Sequence, residues 1–221
     1  MKYTETEAWK SYIDLMQQRP QLFLPSEDLA IVTDPALVED YVVRTGRKLG
    51  LVYKSPWNMM VVDLVQNKKG EIFSYDRLIA TSTGTPVVTV PVYKGRLILI
   101  KQYRHAIRRT QYAFPRGFGE DGLSAEENAR KELREEIGAS FGQEAEIRLL
   151  GQVTSDSGVT STGIAVVYCE ISSYEERVGY EEIQETILLT REELEDWIKQ
   201  GRIDDGFTLA AYSVFALSSG S

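Results

Sequence analysis

Residues 117–139, GFGEDGLSAEENARKELREEIGA, commit part of this chain to a tight loop feeding a two-faced helix. Gly117, Gly119 and Gly122 let the backbone turn sharply. Ser124, with Glu127 three residues on, has the spacing of a capping box, and Gly138 stands where a helix would end. At roughly 100° per residue, Ala129, Leu133 and Ile137 share one stripe while Glu132, Glu135 and Glu136 share another. The helix can therefore bury one side and hold three carboxylates on a second. Such like charges repel by about 0.2–0.5 kcal/mol per pair on an exposed helix. A divalent cation turns that cost into attraction, and magnesium needs few carboxylates because water and substrate phosphates complete its shell. A solvated acidic face is the alternative for the glutamates alone. Their set distance from the glycine loop favours the metal.

The rest of the chain mixes strands and helices without the regular alternation of a doubly wound sheet. Trp9, Ile13 and Met16 recur at helical spacing over 5–18 until Pro20, and 35–41 forms a second short helix. Strands are expected at 51–53, 59–65 and 72–79, with Asn67-Lys68-Lys69-Gly70 as a hairpin turn. Val87 to Tyr93 and Leu97 to Gln102 are strands joined by Lys94-Gly95-Arg96. Further strands lie at 145–153, 164–171 and 186–189, separated by a polar loop at 154–163 and an acidic segment at 174–185. Thr190 and Glu193 form another capping box for a helix to Gln200, and a last helix spans 207–217, leaving a frayed Ser219-Gly220-Ser221 tail. The expected architecture is α/β (α+β): a mixed-sheet α/β/α sandwich over 86–221, preceded by a helical and β extension over 1–85.

The chain has 221 residues, 43% of them hydrophobic, enough for a normal packed interior. A net charge of −8 argues against nucleic acid as a partner. The single cysteine, Cys169, excludes an intramolecular disulfide and sits in an apolar run, as a buried small hydrophobe would. With His105 the only histidine, neither a histidine-rich metal cluster nor a Ser-His-Asp triad is expected. No apolar run approaches membrane-spanning length, and the N-terminus lacks the pattern of a signal peptide, so a cytoplasmic protein without a membrane partner is expected.

The loop–helix stretch resembles the Nudix box, Gly-x5-Glu-x7-Arg-Glu-U-x-Glu-Glu-x-Gly-U with U apolar. Gly117, Glu132, Leu133, Glu135, Glu136, Gly138 and Ala139 fall in register; Leu123 replaces the first Glu, and Lys131 the Arg. The flanks, Gln102-Tyr103-Arg104 with Phe114-Pro115-Arg116-Gly117 and the ending 198–205 with Thr208 and Ala210, are similar to the ADP-ribose pyrophosphatase branch of the Nudix hydrolases. The likeness is strong from 97 to 139 and weak from 51 to 217.

This resemblance implies the following roles. Glu132 and Glu136 are the principal metal ligands, Glu135 a ligand or water-orienting group, and the Arg116 carbonyl a backbone ligand, for Mg²⁺ with Mn²⁺ as a substitute. A further acid beyond the box falls on Glu181 or Glu182. Related enzymes often have a Glu near Thr162, which leaves the catalytic base the open assignment. Arg104 matches an arginine that contacts substrate phosphate, and Arg116 is a second substrate-binding residue. Trp57 is the candidate for stacking a nucleobase, with core or interface packing as the alternative. Arg108 and Arg109 are expected to be solvated. In the family the missing Glu and Arg brace the loop against the helix; here an altered brace that still holds the loop and leaves the metal face intact is expected, with Leu123 packing and Lys131 extending to water.

The implied activity is Mg²⁺-dependent hydrolysis of a nucleoside diphosphate sugar of the ADP-ribose kind, a small-molecule nucleotide substrate, by a homodimer. NADH, GDP-mannose or a dinucleoside polyphosphate as substrate, or a retired nucleotide-sugar-binding module, are the alternatives.

Overall fold

The computed structural model describes residues 2–218, which fall into two compact units: 2–81 with 156–162, and 82–155 with 163–218. The expected Ser219-Gly220-Ser221 tail lies outside the described residues.

In the first unit, helix α1 (Glu7–Gln18) starts at Thr6, whose hydroxyl oxygen accepts the Trp9 N–H, and stops before Pro20, which cannot continue it. Its stripe Trp9, Tyr12 and Leu15 is buried. Strand β1 (Leu29–Ile31), unforeseen in the sequence, precedes α2 (Pro35–Thr45). Asp34 caps α2 by accepting the Ala36 and Leu37 N–H groups, and Gly46, at φ +70°, ends it a turn later than expected. Strands β2 (Gly50–Lys54), β3 (Asn58–Asn67) and β4 (Ile72–Ala80) complete an antiparallel sheet. β3 is central, with β4 along one edge and β2 and β1 sharing the other. The Asn67–Gly70 turn is present; Asn67 Oδ1 accepts the Lys69 N–H at 2.9 Å. The segment 156–162 belongs here because it bonds to β4: Leu78 N–H donates to Val159 O at 2.8 Å, and Tyr75 Oη to Gly158 O at 2.8 Å.

A charged group lies inside this unit. Asp63 is 2% exposed, and its carboxylate accepts Arg77 Nε at 2.5 Å, Arg77 Nη2 at 3.0 Å and the Tyr12 hydroxyl at 2.6 Å. The Tyr12 hydroxyl shares Asp63 Oδ1 with Arg77 Nη2, and a hydrogen bond to a charged acceptor contributes more than one between neutral groups. Tyr12→Phe is therefore expected to cost about 1–3 kcal/mol, read as a lower urea midpoint at unchanged slope. An unchanged midpoint would show that Arg77 satisfies Asp63 alone.

The second unit is the expected α/β/α sandwich. Strands β5 (Val87–Tyr93), β6 (Arg96–Arg104), β7 (Arg109–Ala113), β8 (Arg116–Gly117), β9 (Ile147–Val153), β10 (Ile164–Glu170) and β11 (Ile183–Leu189) form one mixed sheet in the order β11-β6-β5-β10-β9. β10 and β5 are parallel; β7 pairs with β6, and β8 with β5. Lys94 and Gly95 both have positive φ, 49° and 75°, the two-residue turn whose twist suits a hairpin between β5 and β6.

The period of two along these strands builds two cores. Ile98, Ile100, Ala165, Val167 and Cys169 face helix α3 (Ala125–Ile137), meeting Ala129, Leu133 and Ile137. Leu97, Leu99, Ile164 and Val166 face α4 (Arg191–Lys199) and α5 (Gly206–Ser218), meeting Leu194, Ala211 and Tyr212. Both faces being covered explains the near-continuous apolar runs of β5, β6 and β10. Cys169 is buried, and burial pushes its thiol up to about 12. Among the described residues no helix is long and apolar enough to cross a membrane.

Candidate active site

The glycine loop is tied down before it reaches α3. Pro115 O accepts both the N–H and the hydroxyl of Thr89, at 2.9 and 2.8 Å. Asp121 Oδ1 gathers the Thr83 N–H, the Thr83 hydroxyl and the Gly84 N–H at 2.7–3.0 Å, which holds its carboxyl below the usual range. Gly119 packs against Gly84 so closely that a Cβ on Gly119 would lie 2.1 Å from the Gly84 carbonyl carbon. α3 then starts at the predicted capping box, with Glu127 N–H on Ser124 Oγ at 3.1 Å and Ser124 N–H on Glu127 Oε2 at 2.8 Å.

Loop and helix meet along one row. Asn128, Glu132 and Glu136 stand at i, i+4 and i+8 on α3, and the loop passes them in reverse order. Arg116 N–H donates to Glu136 Oε2 at 3.1 Å, a Cβ on Gly117 would lie 1.8 Å from the Glu132 carboxyl carbon, and Asn128 Nδ2 donates to Phe118 O at 2.9 Å. Gly117 is thus required by contact: any side chain there would displace the Glu132 carboxylate.

The three glutamates predicted as one face are divided by this packing. Glu136 is 1% exposed, and burial, reinforced by the charges of Glu132 and Glu181, pushes its carboxyl up to about 8. Glu132 is half-buried and rises to about 7, burial again being the largest cause. Glu135 is more exposed and is held by Lys131, whose Nζ lies 2.9 Å from its Oε2 and 2.8 Å from Glu120 Oε1. Lys131 therefore does not simply reach water; the two carboxylates draw it back along the helix and hold its ammonium well above the usual lysine range. Leu123 is half-buried, near the turn that opens α3.

Arg104 ends β6, and its Nε and Nη2 are buried without a hydrogen-bond partner. Burial and the neighbouring Arg116 lower its pKa, while Asp205, Glu136 and Glu181 oppose that shift. Arg116 is paired: its Nη1 donates to Asp205 Oδ1 at 3.0 Å, and its guanidinium lies 5.0 Å from the centre of the Phe207 ring. The other Asp205 oxygen caps α5 through the Thr208 N–H and hydroxyl, at 2.9 and 2.8 Å. Both arginines line a cavity of about 850 Å³, with Phe207 and Ala210 among its apolar walls. Arg109 is exposed, as expected, and at the rim of this cavity it is ion-paired to Asp204, whose other oxygen accepts Gln111 Nε2 at 2.9 Å. Arg108 lies 3.1 Å from a ring nitrogen of His105.

Glu181 and Glu182 follow Gly179 in a single turn, both with left-handed φ, 43° and 62°. Non-glycine residues there are strained, and Gln102 Nε2 secures the turn by donating to Glu181 O at 2.6 Å. Glu181 is the member of the pair whose charge is felt at Glu132, Glu136 and Arg104. Trp57, 62% exposed, sits before β3 in the first unit, and the segment that carries Thr162 bonds to β4 of that unit.

Among the described residues no three acidic, histidine or cysteine side chains converge into a ready-made cation site. The donors nevertheless suit a hard divalent ion. Two buried, mutually repelling carboxylates lie beside a backbone segment, and magnesium is commonly held by one or two carboxylates with water and phosphate oxygens making up the rest. Asn128, Gln102 and the bracing role of Asp205 were not singled out from sequence. The spacing Asp205-x-x-Thr208 is itself a helix-start signal, and Asn128 carries the row of Glu132 and Glu136 one turn back.

No curated protein matches the chain. A solved structure described as "Crystal structure of ADP compounds hydrolase" matches with a TM-score of 0.64 and 19% identity, over 75% of this chain and 88% of that one. At that identity the likeness speaks for the fold. The family model of the NUDIX domain matches residues 84–209, which take in the glycine loop, the carboxylate row and the three cavity arginines, and with more than half of its length so matched the chain belongs to the NUDIX family.

Proposed function

We propose that the chain hydrolyses the diphosphate bridge of a nucleoside diphosphate sugar of the ADP-ribose kind, giving a nucleoside monophosphate and a sugar phosphate, with Mg²⁺ or Mn²⁺ as cofactor. The observation that carries this reading is the mutually repelling pair of half-buried Glu132 and buried Glu136 beside Arg104, whose buried Nε and Nη2 have no hydrogen-bond partner. Separately, each arrangement is costly to fold. Together they suit a ligand that brings both a cation and an anion.

Glu132 and Glu136 would hold the cation, with the Arg116 backbone alongside; bound there, it would neutralise charge on the diphosphate and favour ionisation of the attacking water. Arg104 takes a phosphate oxygen through Nε and Nη2. Arg116, aimed by Asp205 and backed by Phe207, lines the cavity that receives one half of the substrate. Water oxygen bonds to one phosphorus as the bridging P–O bond breaks, and the bridging oxygen stays with the leaving phosphate. Glu181 accepts the proton, with Glu182 as the alternative, and Glu135, steadied by Lys131, orients the water. Trp57 stacks the base, the first unit carries the dimer contact, and the enzyme works in the cytoplasm. The ADP compounds named for the similar solved structure accord with this substrate class.

The test is a panel of ADP-ribose, GDP-mannose, NADH and a dinucleoside polyphosphate, each with Mg²⁺, Mn²⁺ or a chelator, with products separated chromatographically. Chelator-sensitive release of nucleoside monophosphate, fastest from ADP-ribose, is expected. Faster turnover of another member would move the substrate. Binding without turnover of any would mark a nucleotide-binding module.

A further inference from the structure

Lys131 stands where the family pattern has an arginine, yet it has no glutamate at 123 to meet. It turns instead to Glu120, three residues earlier in the loop, at 2.8 Å, and to Glu135 on its own helix at 2.9 Å. Helix stability does not account for the second contact. A lysine placed N-terminal to its i+4 glutamate is the weaker orientation for such a pair. Global stability does not account for the first either, because the side chains of Lys131, Glu120 and Glu135 are 36%, 47% and 39% exposed, and pairs so exposed add little. What the arrangement does accomplish is geometric. The loop's inner side is fixed by Glu136 on Arg116, Asn128 on Phe118, and the contact of Gly117 with Glu132. Glu120 is the point at which its outer side is tied to the same helix.

We infer that Glu120 and Lys131 are positioning residues that form a displaced brace, setting the loop on the carboxylate row; the inference rests on the cation-dependent reading above. Asp121 ties this part of the loop to residues 83 and 84, whereas Glu120 ties it to α3, the helix that carries the carboxylates. The quantity at stake is the spacing of the Arg116 backbone and Gly117 from Glu136 and Glu132. Gly117 leaves no room for even a Cβ against the Glu132 carboxylate, and the Arg116 N–H is bonded to Glu136, so a displacement of the loop bears on where both carboxylates point. Lys131 also keeps Glu135 in place at the solvent side of the row, apart from the buried pair.

The experiment compares Glu120→Gln, Lys131→Met, the double variant and Lys131→Arg in the full chain. Charge alone and bracing predict different patterns. Removing Glu120 takes a negative charge from the site, while removing Lys131 takes a positive one, so a charge effect would shift Mn²⁺ affinity in opposite directions. Loss of the brace weakens it in both, by about tenfold. Mn²⁺ affinity is read by calorimetry without nucleotide, and loop order by hydrogen exchange of the 116–123 amides, expected to speed up about tenfold in both single variants. The melting temperature stays within about 2 °C. With a hydrolysed substrate, kcat falls while KM holds. The double variant is no worse than the worse single one, and Lys131→Arg keeps parental values. Opposite shifts in Mn²⁺ affinity, unchanged exchange, or additive losses in the double variant would overturn the brace. The affinity and exchange measurements need no turnover, so a chain that hydrolyses nothing would sink the proposed reaction and still leave the brace to be judged.

Discussion

Glu136→Gln is expected to lower kcat/KM by at least about 10²-fold and, at the same time, to stabilise the metal-free protein. Both effects come from the same burial. At 1% exposure the carboxylate keeps almost no hydration, and Glu132 and Glu181 add repulsion, so its ionised form is held at a cost. Glutamine has the same shape, carries no charge, and keeps an oxygen to accept the Arg116 N–H. The gain should be roughly 1–3 kcal/mol at pH 8, about 2–4 °C in melting temperature per kcal/mol for a chain of this size. Below about pH 4, where Glu136 is protonated in both the folded and the unfolded state, the difference should vanish. A variant that is inactive and less stable at pH 8 would mean that Glu136 serves the fold rather than the reaction.

That opposition between stability and function decides how much of the site could be read from sequence. Caps, stripes and turns are local, and they were legible: the Ser124–Glu127 and Thr190–Glu193 capping boxes, the apolar stripe of α3, and the Asn67 turn all lie within a few residues of their partners. What escaped depends on partners far away in the chain. β7 and β8 are short and contain charged residues, and they become strands only because β6 and β5 offer them an edge. The segment 156–162 looks like a loop of the second unit and bonds to β4 of the first. The helical wheel placed Glu132, Glu135 and Glu136 on one face, and the loop then buried two of them and left the third to Lys131. A wheel has no knowledge of what passes alongside it. Lys131 was expected in water because its family partner is missing, and nothing local indicated that Glu120 would substitute.

The metal-free protein is expected to lose stability as the pH rises from about 5 to about 8.5, and a divalent cation is expected to restore it. Glu132 and Glu136 titrate near 7 and 8 when folded and near 4.5 when unfolded. Between those values the folded state binds more protons, so unfolding becomes easier with each step upward. The stabilisation these groups give is complete below about 4.5 and gone above about 8, a loss of several kcal/mol across the window. Asp121 and Asp204, held low by their hydrogen bonds, act in the opposite sense, and their contribution disappears only in more acidic solution. The two trends place the optimum near pH 5. Ordinary titration contributes little between 5 and 8, since the chain has a single histidine and Cys169 is pushed up to about 12. A cation must displace the protons on both carboxylates, so its effect on the melting temperature should be small at pH 5.5 and grow with each unit above it. Melting curves from pH 5 to 8.5, with a chelator and with Mn²⁺, read both trends at once. The Glu132→Gln, Glu136→Gln double variant should show neither. A metal-free melting temperature that climbs through this range, or a cation shift that is the same at both ends, would remove Glu132 and Glu136 from the metal site and leave their burial without a purpose.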